Sequence, residues 1–205
     1  MKTKIILLFA FFVGLSSSAF AQSSFDAKFQ KMMSEGFRAE GIAGLDRIQQ
    51  DETQKFCSDP KRINTKQGAV KAIELQKLNM ASIVQPTDGK YIGDWKNGEA
   101  IAQSGRGATW TDKPDTVNGG GCYNCHEIDK KEISYGNLGP SLWNYGKNRG
   151  YSQELITYTW NRIYNSKAYN LCSNMPRFGH FKLLTQEQMQ DVMALLLDPQ
   201  SPVNQ

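Results

Sequence analysis

The feature that most constrains this chain is the stretch GGGCYNCH at residues 119–126, which holds Cys122, Cys125 and His126. The chain has only four cysteines and two histidines, so half of these six residues lie here. The spacing C-x-x-C-H is typical of covalent attachment of a c-type haem. Two thiols two residues apart reach the haem vinyl groups, and the imidazole that follows binds the iron. The sequence therefore predicts one covalent haem c, with His126 as an iron ligand.

Three other interpretations of this motif stay open from the residues alone. A zinc site needs four ligands, yet Cys57 and Cys172 are single and distant, and His180 is the only other imidazole. A thioredoxin-like redox pair needs a preceding strand, whereas Gly119, Gly120 and Gly121 predict a loop. A simple disulfide would leave the histidine unused. The glycine run itself predicts either a plain loop or a close approach of backbone to the edge of the macrocycle.

A second axial iron ligand is expected downstream, where the chain can return to the other face of the haem. Met175 is the preferred candidate, because Pro176 keeps its segment from forming regular helix. His180 is the alternative, and an open iron position is a third possibility. A methionine and histidine pair raises the reduction potential, which suits an electron acceptor.

The N-terminus predicts export. Lys2 and Lys4 precede an apolar run and the site Ala19-Phe20-Ala21, the pattern of a cleaved secretory signal over residues 1–21. We expect the mature protein to lie in the periplasm without a membrane span. Removing 21 of 205 residues leaves 184 and lowers the net charge from +4 to +2, because two lysines are lost. A charge this small does not indicate a nucleic-acid partner.

Cys57 and Cys172 are the cysteines outside the haem motif. Disulfides persist in exported proteins. We therefore predict that these two residues form a disulfide, which would fasten the N-terminal segment to the loop that carries Met175.

The remaining patterns predict a mainly α fold: a class I cytochrome c-like haem domain at residues 88–205 and a helical N-terminal extension at residues 22–87. Thr185 and Gln188 form a capping box ahead of the final helix, which Pro199 ends, and Ser152 can cap a helix through about Tyr164. Further helices are expected at about 94–102 and 65–83, with a weaker amphipathic pattern around Phe25, Phe29 and Met32. The segment between the haem motif and Ser152 is expected to be loop-rich. The extension could be an elaboration of the haem domain or a partner-binding module.

The chain also resembles SoxX, the monohaem subunit of the SoxAX cytochromes of bacterial sulfur-compound oxidation, over most of its mature length. The resemblance is carried by the stretches GLDRIQQDETQKFCS at 44–58, GDWKNGEAIAQSGRG at 93–107, GGGCYNCHEI at 119–128, SYGNLGPSLWNYGKNRG at 134–150, IYNSKAYNLCSNMPRFGHF at 163–181 and DVMALLLDPQSPVN at 191–204.

This resemblance implies that Cys122 and Cys125 hold the haem, that His126 and Met175 are its axial ligands, and that the Pro140 carbonyl supports His126. It also implies a heterodimer with a SoxA-like cytochrome, which carries the site that conjugates thiosulfate to a cysteine of the carrier SoxYZ. This chain would then be the non-catalytic electron-transfer subunit of that L-cysteine S-thiosulfotransferase, passing electrons to a downstream acceptor. No catalytic residues are predicted in the chain itself.

Two other functions remain possible from the sequence. The same haem ligands would serve a free, diffusible periplasmic electron carrier. A haem enzyme or gas sensor would require an open or easily opened sixth iron position.

Overall fold

The computed structural model describes residues 27–205, so the predicted signal peptide and Phe25 lie outside the described residues. Within this range the protein is mainly helical, contains no β-strand, and has one isolated bridge between Glu40 and Ala43. The predicted mainly α fold class is correct. The helices are α1 (27–36), α2 (Glu52–Cys57), α3 (Pro60–Ile63), α4 (Lys66–Ala81), α5 (Trp95–Gln103), α6 (Tyr145–Arg149), α7 (Gln153–Tyr164) and α8 (Gln186–Leu197).

The helices predicted from capping signals are present with those caps. Thr185 and Gln188 form the capping box of α8, and the Ser152 hydroxyl accepts a hydrogen bond from the Leu155 N–H at the start of α7. The Thr65 hydroxyl caps α4 in the same way. These bonds satisfy backbone donors that a helix cannot pair within itself, which is why the helices begin at these residues.

The main apolar core forms where α5 packs against α8. Gly98 makes this close approach possible, because a Cβ there would lie 2.1 Å from the Asp191 carbonyl oxygen. Met193 and Leu195 on α8 are completely buried. Trp160 of α7 joins the same core, and its indole N–H donates to the Val84 carbonyl at 3.0 Å. The C-x-x-C-H motif lies against this core, through Cys122 and Tyr123.

The N-terminal segment forms a second, smaller apolar cluster. Phe56 of α2 and Leu75 of α4 pack with Leu171, a residue far along the chain. Phe29 and Met32 on α1 are largely exposed, so the apolar pattern predicted there does not form a buried face against the described part of the chain. The segment is therefore attached to the rest of the protein through α2 and α4.

The segment between the C-x-x-C-H motif and Ser152 is loop-rich, as predicted, and contains the short helix α6. Gly146 lies inside this helix and packs against the α8 C-terminus, where a Cβ would lie 3.1 Å from the Leu197 carbonyl oxygen. This glycine therefore serves close packing rather than a turn. Within residues 27–205, every helix is too short or too polar to cross a bilayer.

Candidate haem-binding site

Cys122, Cys125 and His126 lie on one tight helical turn. A 3₁₀ turn spans Cys122–Asn124, and the N–H groups of Cys125 and His126 both donate to the Cys122 carbonyl, at 3.1 and 3.0 Å. Residues three and four positions apart on a helical turn share one side of it. The turn therefore brings Cys122, Cys125 and His126 close together in one short segment.

The three glycines before the motif dock it onto the end of α5. The N–H groups of Gly120 and Gly121 donate to the carbonyls of Ile101 and Ser104, at 2.8 and 2.7 Å. A Cβ on Gly119 would lie 1.9 Å from the Ser104 carbonyl oxygen, and Gly121 has a φ of 57°, in the left-handed region that favours glycine. Close contact with α5 accounts for this run, so it is not a plain loop.

Tyr123, between the two cysteines, attaches the turn to α5 through its hydroxyl group. Its buried hydroxyl donates to the Glu99 carboxylate of α5 at 3.0 Å and accepts from the Asp129 N–H at 3.2 Å. Burial, with smaller contributions that include repulsion from nearby carboxylates, raises the pKa of Glu99. Sequence reasoning missed both residues, although an aromatic residue inside the motif and a glutamate on α5 were visible.

The His126 ring is oriented by a backbone carbonyl. Its Nδ1 lies 2.7 Å from the Pro140 carbonyl oxygen, the partner that the resemblance implied. A carbonyl can only accept, so Nδ1 carries the proton. Nε2 then has a free lone pair, the state in which a histidine binds a metal.

Gly139 allows the chain to pass directly over this ring. A Cβ there would lie 2.1 Å from Cε1 of His126 and 2.4 Å from Nδ1. The segment runs alongside the motif, and its N–H groups donate to carbonyls on the motif side. The pairs are Gly136 to Tyr123, Gly139 to Cys125 and Leu142 to Glu127, at 2.8, 2.8 and 2.7 Å. The imidazole is thus clamped by a continuous backbone contact.

The two motif cysteines are not joined to each other or to any other cysteine. Burial, together with the neighbouring Cys125 and Glu99, raises the pKa of Cys122 to about 12. A redox-active thiol needs a lowered pKa to supply its thiolate. The pKa of Cys122 is not lowered, so this environment does not favour the thiolate that a thioredoxin-like pair uses.

Large apolar side chains on the segments that flank the motif are exposed. Ile133 and Leu138 are 91% and 88% exposed, and Val117 is 76% exposed. Trp110 and Tyr135 are also exposed. These side chains are open to contact with a large, mostly apolar group such as a porphyrin.

Met175 lies on a loop outside any helix, as the proline after it predicted. It is half-buried against the same apolar core as Cys122. The Ser166 hydroxyl donates to the Met175 carbonyl at 2.7 Å, and the Met175 N–H donates to the Ser173 hydroxyl at 3.1 Å. These two hydrogen bonds hold the carbonyl and the N–H group of Met175 in place.

The rival ligand, His180, has other contacts. Its Nδ1 lies 3.5 Å from the Ser82 hydroxyl at the end of α4, the outer limit of a hydrogen bond, and its ring packs edge-on against Phe181. Burial lowers the pKa of His180, the charge of Arg177 lowers it further, and Asp51 acts in the opposite direction. These contacts direct His180 toward the N-terminal segment.

The Met175 loop is tied to the N-terminal segment by contacts across the chain. Cys57 and Cys172 form the predicted disulfide, with their Cα atoms 5.4 Å apart. Arg177, which is 3% exposed, pairs with Asp51 at the start of α2. The disulfide was predicted from the sequence. The ion pair was not, because nothing in either local sequence indicates a partner 126 residues away.

The described residues contain no group of three or more His, Cys, Asp and Glu side chains that could hold a metal ion. A zinc centre of the ordinary four-ligand kind therefore has no ligand set in the part of the chain that the structure describes. A haem iron needs only two protein ligands, because the porphyrin supplies the other four.

No protein-family model matches the chain. Among curated proteins, an uncharacterized lipoprotein of Aquifex aeolicus (strain VF5) is 40% identical over 157 residues, which cover 76% of this chain and 73% of that protein.

Proposed function

We propose that this chain, which belongs to the same family as the uncharacterized lipoprotein of Aquifex aeolicus, is a monohaem c-type cytochrome that transfers electrons. The observation that carries the proposal is the combination of two unpaired cysteines and an oriented imidazole on one turn. In this arrangement Cys122 and Cys125 would hold the haem through thioethers. His126 through Nε2, and Met175 through its sulfur, would be the axial ligands. The haem supplies reversible one-electron chemistry when bound.

The protein residues around this site would keep the iron ligands in place. The Pro140 carbonyl holds the His126 ring in one tautomer and one orientation. Ser166 holds the Met175 carbonyl, and the Cys57–Cys172 disulfide prevents the Met175 loop from moving away from the N-terminal segment. Little reorganisation on oxidation and reduction is what an electron-transfer site requires.

The finer assignment proposed here is a SoxX-like subunit with a cytochrome c domain at residues 88–205. Its partners would be a SoxA-like cytochrome, the carrier SoxYZ and a downstream acceptor. This assignment depends on the sequence stretches that resemble SoxX. We propose a periplasmic location after export, and the description of the relative as a lipoprotein supports an exported protein.

The direct test is expression of the full chain in a host that matures c-type cytochromes, followed by haem staining of the denatured protein. Covalent haem in the wild type, and none in Cys122→Ser/Cys125→Ser, would support the proposal. Spectra then test the ligands: low-spin haem with methionine-to-iron absorption should be lost in Met175→Ala. Wild-type protein without covalent haem would overturn the cytochrome assignment.

The partner requires a separate measurement. Mild purification from a native host should yield a second haem-staining polypeptide in equal amount if the chain is a SoxAX-type subunit. Elution as a haem-containing monomer would leave the cytochrome assignment in place and favour the diffusible carrier.

A further inference from the structure

A pocket lies between α2 and the loop that carries Met175. Its volume is about 420 Å³, and Met175, the Cys57–Cys172 disulfide and Gln54 line it. Lys167 and Arg177 also line it. Among the described residues that form its wall, none is Asp or Glu. Two cations therefore line the same pocket as the loop that carries Met175, the proposed iron ligand.

Both cations are buried. Lys167 is 8% exposed and Arg177 is 3% exposed. The Lys167 ammonium donates to the carbonyls of Leu171 and Ser173, each at 3.2 Å, and an ammonium has a third N–H to donate. The Arg177 guanidinium pairs with Asp51 through one nitrogen and stacks on Phe181, which leaves further N–H groups. Donors thus remain on both side chains.

The charges around the pocket do not balance. One carboxylate, Asp51, faces two buried cations, and burial of an unpaired charge is strongly unfavourable. Burial lowers the pKa of Lys167, repulsion from Arg177 lowers it further, and attraction to Asp51 acts in the opposite direction. An additional anion would restore the balance.

We propose that this pocket binds an anionic oxygen group, held between the Lys167 ammonium and the Arg177 guanidinium. The group is either a free oxyanion from solution or a carboxylate of the haem propionates. The second source rests on the proposed function, in which Met175 is an iron ligand. Met175 also lines this pocket. In either case the anion offsets the positive charge of Lys167 and Arg177 next to the Met175 loop.

The first experiment is a sulfate titration of the purified full-length protein, followed by its unfolding temperature at constant ionic strength. The variants are Lys167→Met, the charge-preserving Lys167→Arg, and the exposed control Lys77→Met on α4. For a free oxyanion we expect a saturable rise in the wild type, Lys167→Arg and Lys77→Met. Half-saturation in Lys167→Met should need at least tenfold more sulfate.

A second variant keeps the test valid if Lys167→Met does not fold. Gln54→Glu places a carboxylate in the wall of the pocket and preserves the capping box of α2, because Glu accepts from the Asp51 N–H as Gln54 does. We expect this variant to fold and to lose the saturable sulfate response.

The second experiment is the haem midpoint potential of the same variants. A bound propionate predicts no saturable sulfate response, and a lower potential in Lys167→Met than in Lys77→Met that Lys167→Arg restores. Absence of both the sulfate response and this difference would overturn the anion site. If the protein carried no haem, the proposed function would fail, and the sulfate titration alone would decide the site.

Discussion

The turn that carries Cys122 and the loop that carries Met175 are held in place by different kinds of contact. The turn is fixed by backbone hydrogen bonds to α5 and to the Gly136–Leu142 segment, all close in the chain. The loop is fixed by a disulfide, an ion pair and a serine hydroxyl. Its strongest ties come from the N-terminal segment. The turn on one side of the proposed haem is therefore held by residues nearby in the chain. The Met175 loop on the other side is held by residues more than 100 positions away.

The largest expected effect comes from the disulfide. Cys57→Ser/Cys172→Ser should lower the free energy of unfolding by about 4 kcal/mol, because the bond closes a long loop and restricts the unfolded chain. Urea unfolding measures this change. Wild-type protein under reducing conditions should match the double variant. A loss below about 1 kcal/mol would mean that the Met175 loop is held without this bond.

On the motif side, Gly139→Ala should lower the free energy of unfolding by about 3 kcal/mol, since its methyl group would overlap the His126 ring. In haem-loaded protein the variant should also lose histidine ligation, as seen in its absorption spectrum. Gly36→Ala is the control, because nothing lies within 4 Å of a Cβ at Gly36. Equal behaviour of the two variants would contradict the clamp over the imidazole.

The ion pair is tested by Asp51→Asn. Asparagine keeps the helix cap of α2 through Oδ1, and its NH2 group replaces the oxygen that accepts from Arg177, so the variant removes both the charge and the hydrogen bond that face buried Arg177. We expect a loss of about 2 kcal/mol in unfolding free energy, reduced from the value for a fully buried pair because Asp51 is partly exposed. Asp59→Asn is the control, since its partner Arg62 is exposed.

A smaller effect is expected from Ser166→Ala, which removes the hydroxyl bound to the Met175 carbonyl. The loss should be about 1 kcal/mol in unfolding free energy, the net value of one hydrogen bond. Ser34→Ala on α1, where the hydroxyl is exposed, should change stability by less than half as much. Unchanged stability in Ser166→Ala would show that this hydroxyl does not help to hold the loop.

The weakest effect is a pH dependence. Burial alone would raise the pKa of Asp51, but hydrogen bonds from Gln54 and Arg177 and the charge of Arg177 lower it below 3.8 overall. A lowered carboxyl pKa gives stability that is present above the unfolded value and is lost as the pH falls through the folded value. The stability difference between wild type and Asp51→Asn should therefore shrink below about pH 3.8. A difference that stays constant as the pH falls below about 3.8 would exclude this origin.

The sequence predicted the elements that are determined by residues close together in the chain. Thr185 and Ser152 predicted α8 and α7 through capping, and the C-x-x-C-H spacing indicated Cys122, Cys125 and His126 as one candidate site. It missed α2, α3 and α6, which have six, four and five residues and too little periodicity to recognise. The pocket cations were missed for another reason. Lys167 and Arg177 look like ordinary surface residues until the N-terminal segment covers them.

The order of the cysteines along the chain has a consequence for biogenesis. The bond joins the first cysteine to the last, and the two between them stay unpaired. In a chain exported from its N-terminus, Cys57 meets Cys122 and Cys125 before Cys172 has emerged. An oxidase that joined cysteines in order of appearance would thus produce the wrong bond. For an exported chain, the native pairing would require the middle pair to be protected, or the first bond to be reshuffled, before the molecule is complete.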